Sequence, residues 1–331
     1  MLRTYYNDPS APLGHLPLPN GGLVFEILKG SFDSRELSAK QTEGLFSIVT
    51  KSHHIHIKTI TIQGGNIMKL GFIGAGNMAS AIMGGIINAG IVNKEDIIAS
   101  DAFQGALDKV QKYLGVNITN DNKKVAAQAD VLFLAVKPQF YMDVIIETRY
   151  HVRPETIIVT IAPGWTLEKT KAAFGKDLKI VRTMPNTPAM VLEGMTSVCP
   201  NEFVTKEDLD FVLKLIGSFG KYEVISEYMI DAGMAAAGSS PAYVYMMIEA
   251  MADGAVMYGM PRDKAYKFAA QAVLGSAKMV LETGMHPGAL KDMVCSPAGT
   301  TIEAVKVLEQ EGFRASIIDA MVACVERGKK M

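Results

Sequence analysis

The sequence predicts an α/β chain in which a doubly wound parallel sheet is followed by an all-helical half. Three observations lead there. A Gly-x-Gly-x-x-Ala run at Gly74, Gly76 and Ala79 joins a short apolar strand to an apolar helix. Further apolar strands alternate with helical segments as far as Tyr228. Beyond Tyr228 the composition turns to Gly, Ala, Met and Ser, with few charges.

The first strand is read at residues 69–73 and its helix at 78–89. Between them Gly74 permits the tight turn, Gly76 lets a pyrophosphate approach the backbone, and Ala79 allows close helix–strand packing. The helix N-terminus then offers unpaired N–H groups to the phosphates. A second strand at 96–100 ends at Asp101, where a ribose-reading acid is expected. Continuous apolar strands follow at 131–136, 156–161 and 179–182. Such alternation gives a Rossmann-type sheet whose ligands sit beyond the carboxyl ends of the strands. The turns Lys137-Pro138 and Asn186-Thr-Pro188 fall on that edge. Each reads either as ordinary turn chemistry or as part of the site, and their convergence favours the site.

Asp101 bears on cofactor choice. A carboxylate there accepts hydrogen bonds from both ribose hydroxyls and repels a 2′-phosphate. No Arg follows it directly, which leans towards NADH, although Ser100, Asn122 and Lys123 stand as possible compensating groups.

In the second half, Gly238-Ser-Ser-Pro-Ala-Tyr243 reads as a helix start with Ser240 as N-cap and Pro241 in the first turn. Apolar residues then occupy nearly every side through Met260. A helix buried all round in so short a domain calls for a second subunit, so a dimer with interlocked helices is predicted. Helices follow at 262–283, closed by Gly284, and at 289–294. Cys295-Ser-Pro-Ala-Gly-Thr-Thr-Ile302 opens the next, from Thr300. Its tip is either a cradle of backbone N–H groups for a carboxylate or a helix capped by Thr300 or Thr301.

Bulk properties narrow the class. The 331 residues suffice for about two domains, and 49% are apolar. A net charge of -1 and a pI near 6.6 give no electrostatic footprint for nucleic acid or an anionic membrane. No run is apolar enough to span a bilayer; the richest, 229–260, is broken by Asp231, Glu249 and Asp253. Cys199, Cys295 and Cys324 show no C-x-x-C spacing and read as small buried hydrophobes in a reducing cytoplasm, with neither disulfide nor metal site.

Five segments resemble pyrroline-5-carboxylate reductases in order and spacing: Phe72-Ile-Gly-Ala-Gly-Asn-Met78, Ala135-Val-Lys-Pro138, Met184-Pro-Asn-Thr-Pro188, Gly238-Ser-Ser-Pro-Ala-Tyr243, and Leu290-Lys-Asp-Met-Val-Cys-Ser-Pro-Ala-Gly-Thr-Thr-Ile-Glu-Ala304. The resemblance covers residues 68–329, and the last segment is the most diagnostic. It implies a Rossmann domain at 68–228 and a helical dimerisation and substrate domain at 229–331, with homodimers often assembled into a decamer. The implied reaction is reduction of 1-pyrroline-5-carboxylate to L-proline by NADPH or NADH, the last step of proline biosynthesis. Nucleotide contacts would fall on Ile73, Gly74, Ala75, Gly76, Asn77, Met78, Asn122, Ala135, Val136, Lys137 and Pro138, alongside Asp101 from the motif reading. The substrate loop would include Val294, Ser296, Gly299, Thr300 and Thr301. Backbone groups near Thr300 and Thr301 would hold the carboxylate, and the Thr301 hydroxyl would bond the ring nitrogen as the catalytic contact. Two residues depart from the family pattern: Ala298 stands where Gly is frequent, and Pro163 where Ala is common. The family's frequent preference for NADPH conflicts with the lean drawn from Asp101.

An iminium is already an electrophile, so alignment of donor and acceptor matters more than a strong side-chain acid. A β-hydroxyacid dehydrogenase, the nearest enzyme rival, needs a base and places a Lys on the first long helix of its second domain. Residues 230–261 contain no Lys, Arg or His. His286, beside Pro287, reads as a turn cap. A non-catalytic nucleotide-sensing protein is the rival of a different class, and Ala298 is its one support.

Residues 1–67 read as a different text. They carry turn signals, an alternating run at 55–62, and four histidines, of which His54 and His56 share a strand face as a chance cluster. The segment Gln63-Gly-Gly-Asn-Ile-Met68 is encodable by a purine-rich ribosome-binding sequence, a spacer and a start codon. The expectation is that residues 1–67 are translated leader or upstream sequence and that the natural chain starts at Met68; the alternative is a real accessory segment. Intact-mass measurement of the protein from its native host checks this, and a species retaining Met1 refutes it.

Overall fold

The computed structural model describes residues 68–330. The alternating run at 55–62, the His54/His56 pair and the segment assigned to upstream translation lie outside the described residues.

The sheet has eight strands in the order β3-β2-β1-β4-β5-β6-β7-β8. They are β1 Leu70–Ile73, β2 Ile97–Ser100, β3 Asn117–Thr119, β4 Val131–Leu134, β5 Ile157–Thr160, β6 Lys179–Met184, β7 Gly194–Pro200 and β8 Gly220–Val224. Strands β1 to β6 run parallel, joined by helical crossovers. These helices are α1 Asn77–Asn88, α2 Gln104–Leu114, α3 Asn122–Gln128, α4 Tyr141–Thr148 and α5 Leu167–Phe174. Strand β7 is antiparallel to β6, a correction to the all-parallel expectation. Only residues 185–193, with the short 3-10 turn Thr187–Val191, separate the two strands, too little chain for a crossover back to the same sheet end. Helix α6, Lys206–Ile216, then carries the chain to β8, which pairs parallel with β7.

The parallel strands read as unbroken apolar runs because both faces are covered. Phe72, Phe133, Val159 and Val181 belong to a core with Ile82, Met83, Ile86, Val212 and Leu215. Their neighbours Ile73, Leu132, Ile158 and Ile180 belong to a second core with Val125, Tyr141, Ile145 and Phe174. Phe72 and Phe133 stack across β1 and β4 at 4.6 Å between ring centroids. The strand order reverses between β1 and β4, which opens a crevice at their carboxyl ends.

An ion pair with a buried arginine ties the sheet to the helical half. Arg182 on β6 is 4% exposed. Its Nη1 lies 2.9 Å from Glu227 Oε1, and that carboxylate also accepts the Leu167 N–H at 2.7 Å. Losing the Glu227 carboxylate would leave the buried Arg182 guanidinium with only the more distant Asp231, 3.8 Å away, so it is the costlier half of the pair to remove.

The helical half starts earlier than Ser240. Helix α7, Ile230–Gly233, passes through the π-turn Met234–Gly238 into α8, Ser240–Met257. Ser240 is therefore not an N-cap: the backbone stays helical at Ser239 (φ -98, ψ -25), and the Ser240 hydroxyl donates back to the Ala236 carbonyl at 2.7 Å. Helices α9 Arg262–Thr283, α10 Pro287–Val294, α11 Thr300–Gln310 and α12 Phe313–Gly328 complete the chain. His286 accepts the Gly288 N–H at 3.0 Å, the turn-capping role expected of it.

Helices α8 and α9 meet through the small side chains Ala252, Ala265 and Ala269. Helix α12 returns to the sheet, where Cys324 joins a cluster of Met184, Cys199, Ile230 and Met234. Burial pushes the Cys199 thiol up, as befits a core residue; Cys295 and Cys324 are half-buried. Of helix α8, Ala252 is buried in the single chain, while Met257 is 84% and Leu281 of α9 83% exposed. The apolar faces that predicted an all-round buried helix are thus uncovered within one chain. No helix among the described residues is long and apolar enough to cross a membrane.

Candidate active site

The glycine turn stands at the crevice. Gly74 has φ +104, which an L side chain rarely adopts, and a Cβ there would lie 2.6 Å from the Ala135 carbonyl group. Its N–H donates to the Ser100 carbonyl at 2.7 Å, and the Ala135 N–H donates to the Ile73 carbonyl at 2.7 Å. The ends of β1, β2 and β4 are therefore held together around this one residue. Gly76 caps α1 with no side-chain acceptor, and the first turn of α1 contains no acid. The space where a Gly76 Cβ would sit is open to 4 Å. An uncapped, twelve-residue helix aimed at open space through a glycine suits the pyrophosphate of a dinucleotide. Gly76 and Asn77 are exposed, Met78 is half-buried, and Ile73, Gly74, Ala75 and Ala79 are buried beneath them.

Asp101 accepts the Ala75 N–H at 2.8 Å through Oδ2 and the Phe103 N–H at 2.8 Å through Oδ1. The residue expected to read the ribose thus also braces the glycine turn. Asn122 is bonded to the preceding residue, Ser100. Its Oδ1 accepts the Ser100 hydroxyl at 2.7 Å, and its Nδ2 donates to Glu147 at 2.8 Å. Both ends of the Asn122 amide are committed to protein, so Ser100 acts on Asn122 rather than directly as a compensating group.

Ala135, Val136, Lys137 and Pro138 follow β4 on the other side of the crevice, with Lys137 exposed. Two residues that sequence reasoning missed hold this segment. The buried Tyr141 hydroxyl donates to the Leu134 carbonyl and accepts the Ile161 N–H at 3.1 Å, which joins the ends of β4 and β5. Burial pushes its phenol well up. Trp165 donates to the Pro138 carbonyl at 3.1 Å and packs against Tyr141 at 5.0 Å. Neither carries a motif signal; both become visible only when β4 and β5 are neighbours.

Asn186 is corrected towards the structural reading. It is buried, donates to the Ala237 carbonyl of the π-turn at 3.0 Å, and accepts the Met195 N–H at 2.8 Å. Its side chain fastens β7 and the helical half instead of facing a ligand.

The candidate substrate loop lies on the helical half. Gly299 is the N-cap of α11 (φ -81, ψ 168) with no side-chain cap, so neither Thr300 nor Thr301 is the cap. A glycine cap leaves the threonine hydroxyls and the helix-tip N–H groups for other work. Val294, Ser296, Ala298 and Thr300 are exposed; Gly299 and Thr301 are half-buried. Ala298 adopts φ +57, the left-handed region.

Comparison with known proteins places the chain. Residues 227–331 match the model for pyrroline-5-carboxylate reductase dimerisation, and residues 69–164 match the model described as NADP oxidoreductase, coenzyme F420-dependent. A pyrroline-5-carboxylate reductase of Escherichia coli is 53% identical over 80% of this chain and 98% of its own length. The chain belongs to the pyrroline-5-carboxylate reductase family. A Methanosarcina acetivorans family member is 44% identical over 80% of this chain and 97% of its own. A solved family structure from Coxiella burnetii superposes with a TM-score of 0.73 at 35% identity, covering 80% of this chain and 98% of that one. The Plasmodium falciparum structure, with NADP bound, gives 0.74 at 32%, covering 80% and 97%. The helical half is thus the family's dimerisation domain, which accounts for its uncovered faces.

The strain at Ala298 is measurable. A non-glycine residue in the left-handed region costs about 1–2 kcal/mol, and the added freedom of glycine in the unfolded chain returns about 0.4–1 kcal/mol. The exposed methyl leaves no cavity on removal. Ala298→Gly should therefore raise stability by about 0.5–1 kcal/mol, or roughly 1–4 °C in Tm. Calorimetric unfolding checks this, and a lowered Tm refutes it.

Proposed function

We infer that two uncapped helix tips, one in each half, divide the work of binding two anions, and this pairing carries the functional reading. The tip at Gly76 takes the dinucleotide pyrophosphate, and the tip at Gly299 takes the carboxylate of a small substrate. The chain reduces 1-pyrroline-5-carboxylate to L-proline with NAD(P)H, the last step of proline biosynthesis.

Ile73, Gly74, Ala75, Gly76, Asn77 and Met78 form the floor and tip of the nucleotide site. Asp101 and Asn122 stand at its ribose side, and Ala135, Val136, Lys137 and Pro138 at its nicotinamide side. When bound, NAD(P)H supplies the hydride. Backbone N–H groups of Thr300 and Thr301 hold the carboxylate, with Val294, Ser296 and Gly299 shaping the loop around the ring. The Thr301 hydroxyl bonds the ring nitrogen and keeps the protonated imine aligned, so that its carbon is the electrophile and no side-chain base is needed.

In one chain the loop is largely exposed, which supports a site completed by the second copy of the homodimer. Assembly of dimers into a decamer, the division at 68–228 and 229–331, and a cytoplasmic location complete the proposal. The neutral overall charge supports a substrate held by local donors rather than a global field.

Purified protein should oxidise NADH or NADPH when 1-pyrroline-5-carboxylate is added, followed at the nicotinamide absorbance. No turnover with either would return the reading to a nucleotide-sensing protein. Losing a hydrogen bond to a charged ring nitrogen costs about 1.5–3 kcal/mol, so Thr301→Ala should lower kcat roughly 10- to 150-fold while cofactor affinity stays near wild type. Unchanged kcat removes Thr301 from the site.

A further inference from the structure

We propose that the nucleotide site selects against a 2′-phosphate, that the Asp101 carboxylate is the selecting group, and that the chain therefore prefers NADH to NADPH. The inference rests on the reading that Gly74 to Met78 hold the dinucleotide.

Asp101 leaves the carboxyl end of β2, the position that faces the adenosine ribose in a sheet of this kind. Its two hydrogen bonds, to the Ala75 and Phe103 N–H groups at 2.8 Å each, fix the carboxylate against the glycine turn. Each oxygen keeps a further acceptor direction. A ribose diol offers two O–H donors to such a group. A 2′-phosphate replaces a donor with an anion and must either sit against the carboxylate or displace it. Displacement breaks both hydrogen bonds and strips the acceptor from the buried Ala75 N–H.

The segment from β1 to the end of α4 brings no arginine that would offset this. A 2′-phosphate is ordinarily met by an arginine fork, and residues 68–148, which include β1 to β4, contain no arginine. At the start of α3, Lys124 lines a hollow with Lys69, Asp96 and Asn117 at the opposite, amino edge of the sheet. Lys123 is the other cation there. Against it stand Asp101, Glu147 bonded to Asn122, and Asp121, whose carboxylate accepts the Lys123 N–H at 2.9 Å. Three carboxylates, Asp101, Asp121 and Glu147, thus stand with one ammonium, Lys123, around the start of α3 and the end of β2.

Calorimetric titration of the whole protein with ADP-ribose and with its 2′-phosphate reads the preference without catalysis. ADP-ribose should bind at least about ten-fold more tightly, a gap of 1.4 kcal/mol, and kcat/KM should favour NADH by a similar factor. Asp101→Ser should shrink the binding ratio about ten-fold or invert it. If that variant fails to fold, Asp101→Asn, which removes the charge and keeps an acceptor, should move the ratio the same way. Equal or tighter binding of the 2′-phosphate by wild type overturns the proposal and leaves the reductase reading standing. A ratio unmoved in a folded Asp101 variant overturns the assignment to Asp101. Binding of neither compound overturns the nucleotide site itself.

Discussion

The nucleotide end of the molecule depends on the contact between Gly74 and the backbone of Ala135. A side chain at Gly74 would meet the Ala135 carbonyl at 2.6 Å, so β1 and β4 can come together at their carboxyl ends only because none is present. From that approach follow the hydrogen bond of Gly74 to Ser100, the bracing of Ala75 by Asp101, and the aim of α1 into open space. The crevice at the strand-order reversal is the result. One backbone contact thereby sets where the crevice opens and places the Asp101 carboxylate against its glycine turn.

The second half solves a different problem. Its helices pair through alanines and leave long apolar side chains such as Met257 and Leu281 outside. Such faces are unstable in water by themselves, and they suit a domain whose core is finished by another subunit. The π-turn at Met234–Gly238 couples the two halves, since its Ala237 carbonyl takes Asn186 and its Met234 packs under Cys324. Arg182 and Glu227 lock the same junction from the sheet side. Catalysis by alignment needs this rigidity more than it needs a reactive side chain.

Sequence reading recovered the apolar parallel strands because both faces are buried and the runs are continuous. It missed β3, β7 and β8, whose residues are partly exposed or polar and carry no such signature. It placed a helix start at Ser240 because Ser-Pro is an N-terminal signal, but the preceding π-turn left no break to cap. It read Asn186 as facing ligand, because a Pro-flanked Asn at a strand end looks alike in both roles until its partners are known. The departure at Ala298 from a frequent glycine was legible; its positive φ came only with the backbone.

Local chemistry along the chain was enough to determine the glycine turn, the alternation of strands and helices, the composition change after Tyr228, and a loop with hydroxyls but no base. Each of these is a property of neighbours in sequence, governed by backbone freedom and side-chain polarity within a few residues. The tertiary structure alone decided that Asp101 braces the turn, that Tyr141 and Trp165 pin the ends of β4 and β5, and that Asn122 is held by Ser100 and Glu147. Those contacts join residues from 20 to 27 positions apart. Hydrogen bonds over such separations are specified by which strands lie side by side, and that is a property of the packed sheet.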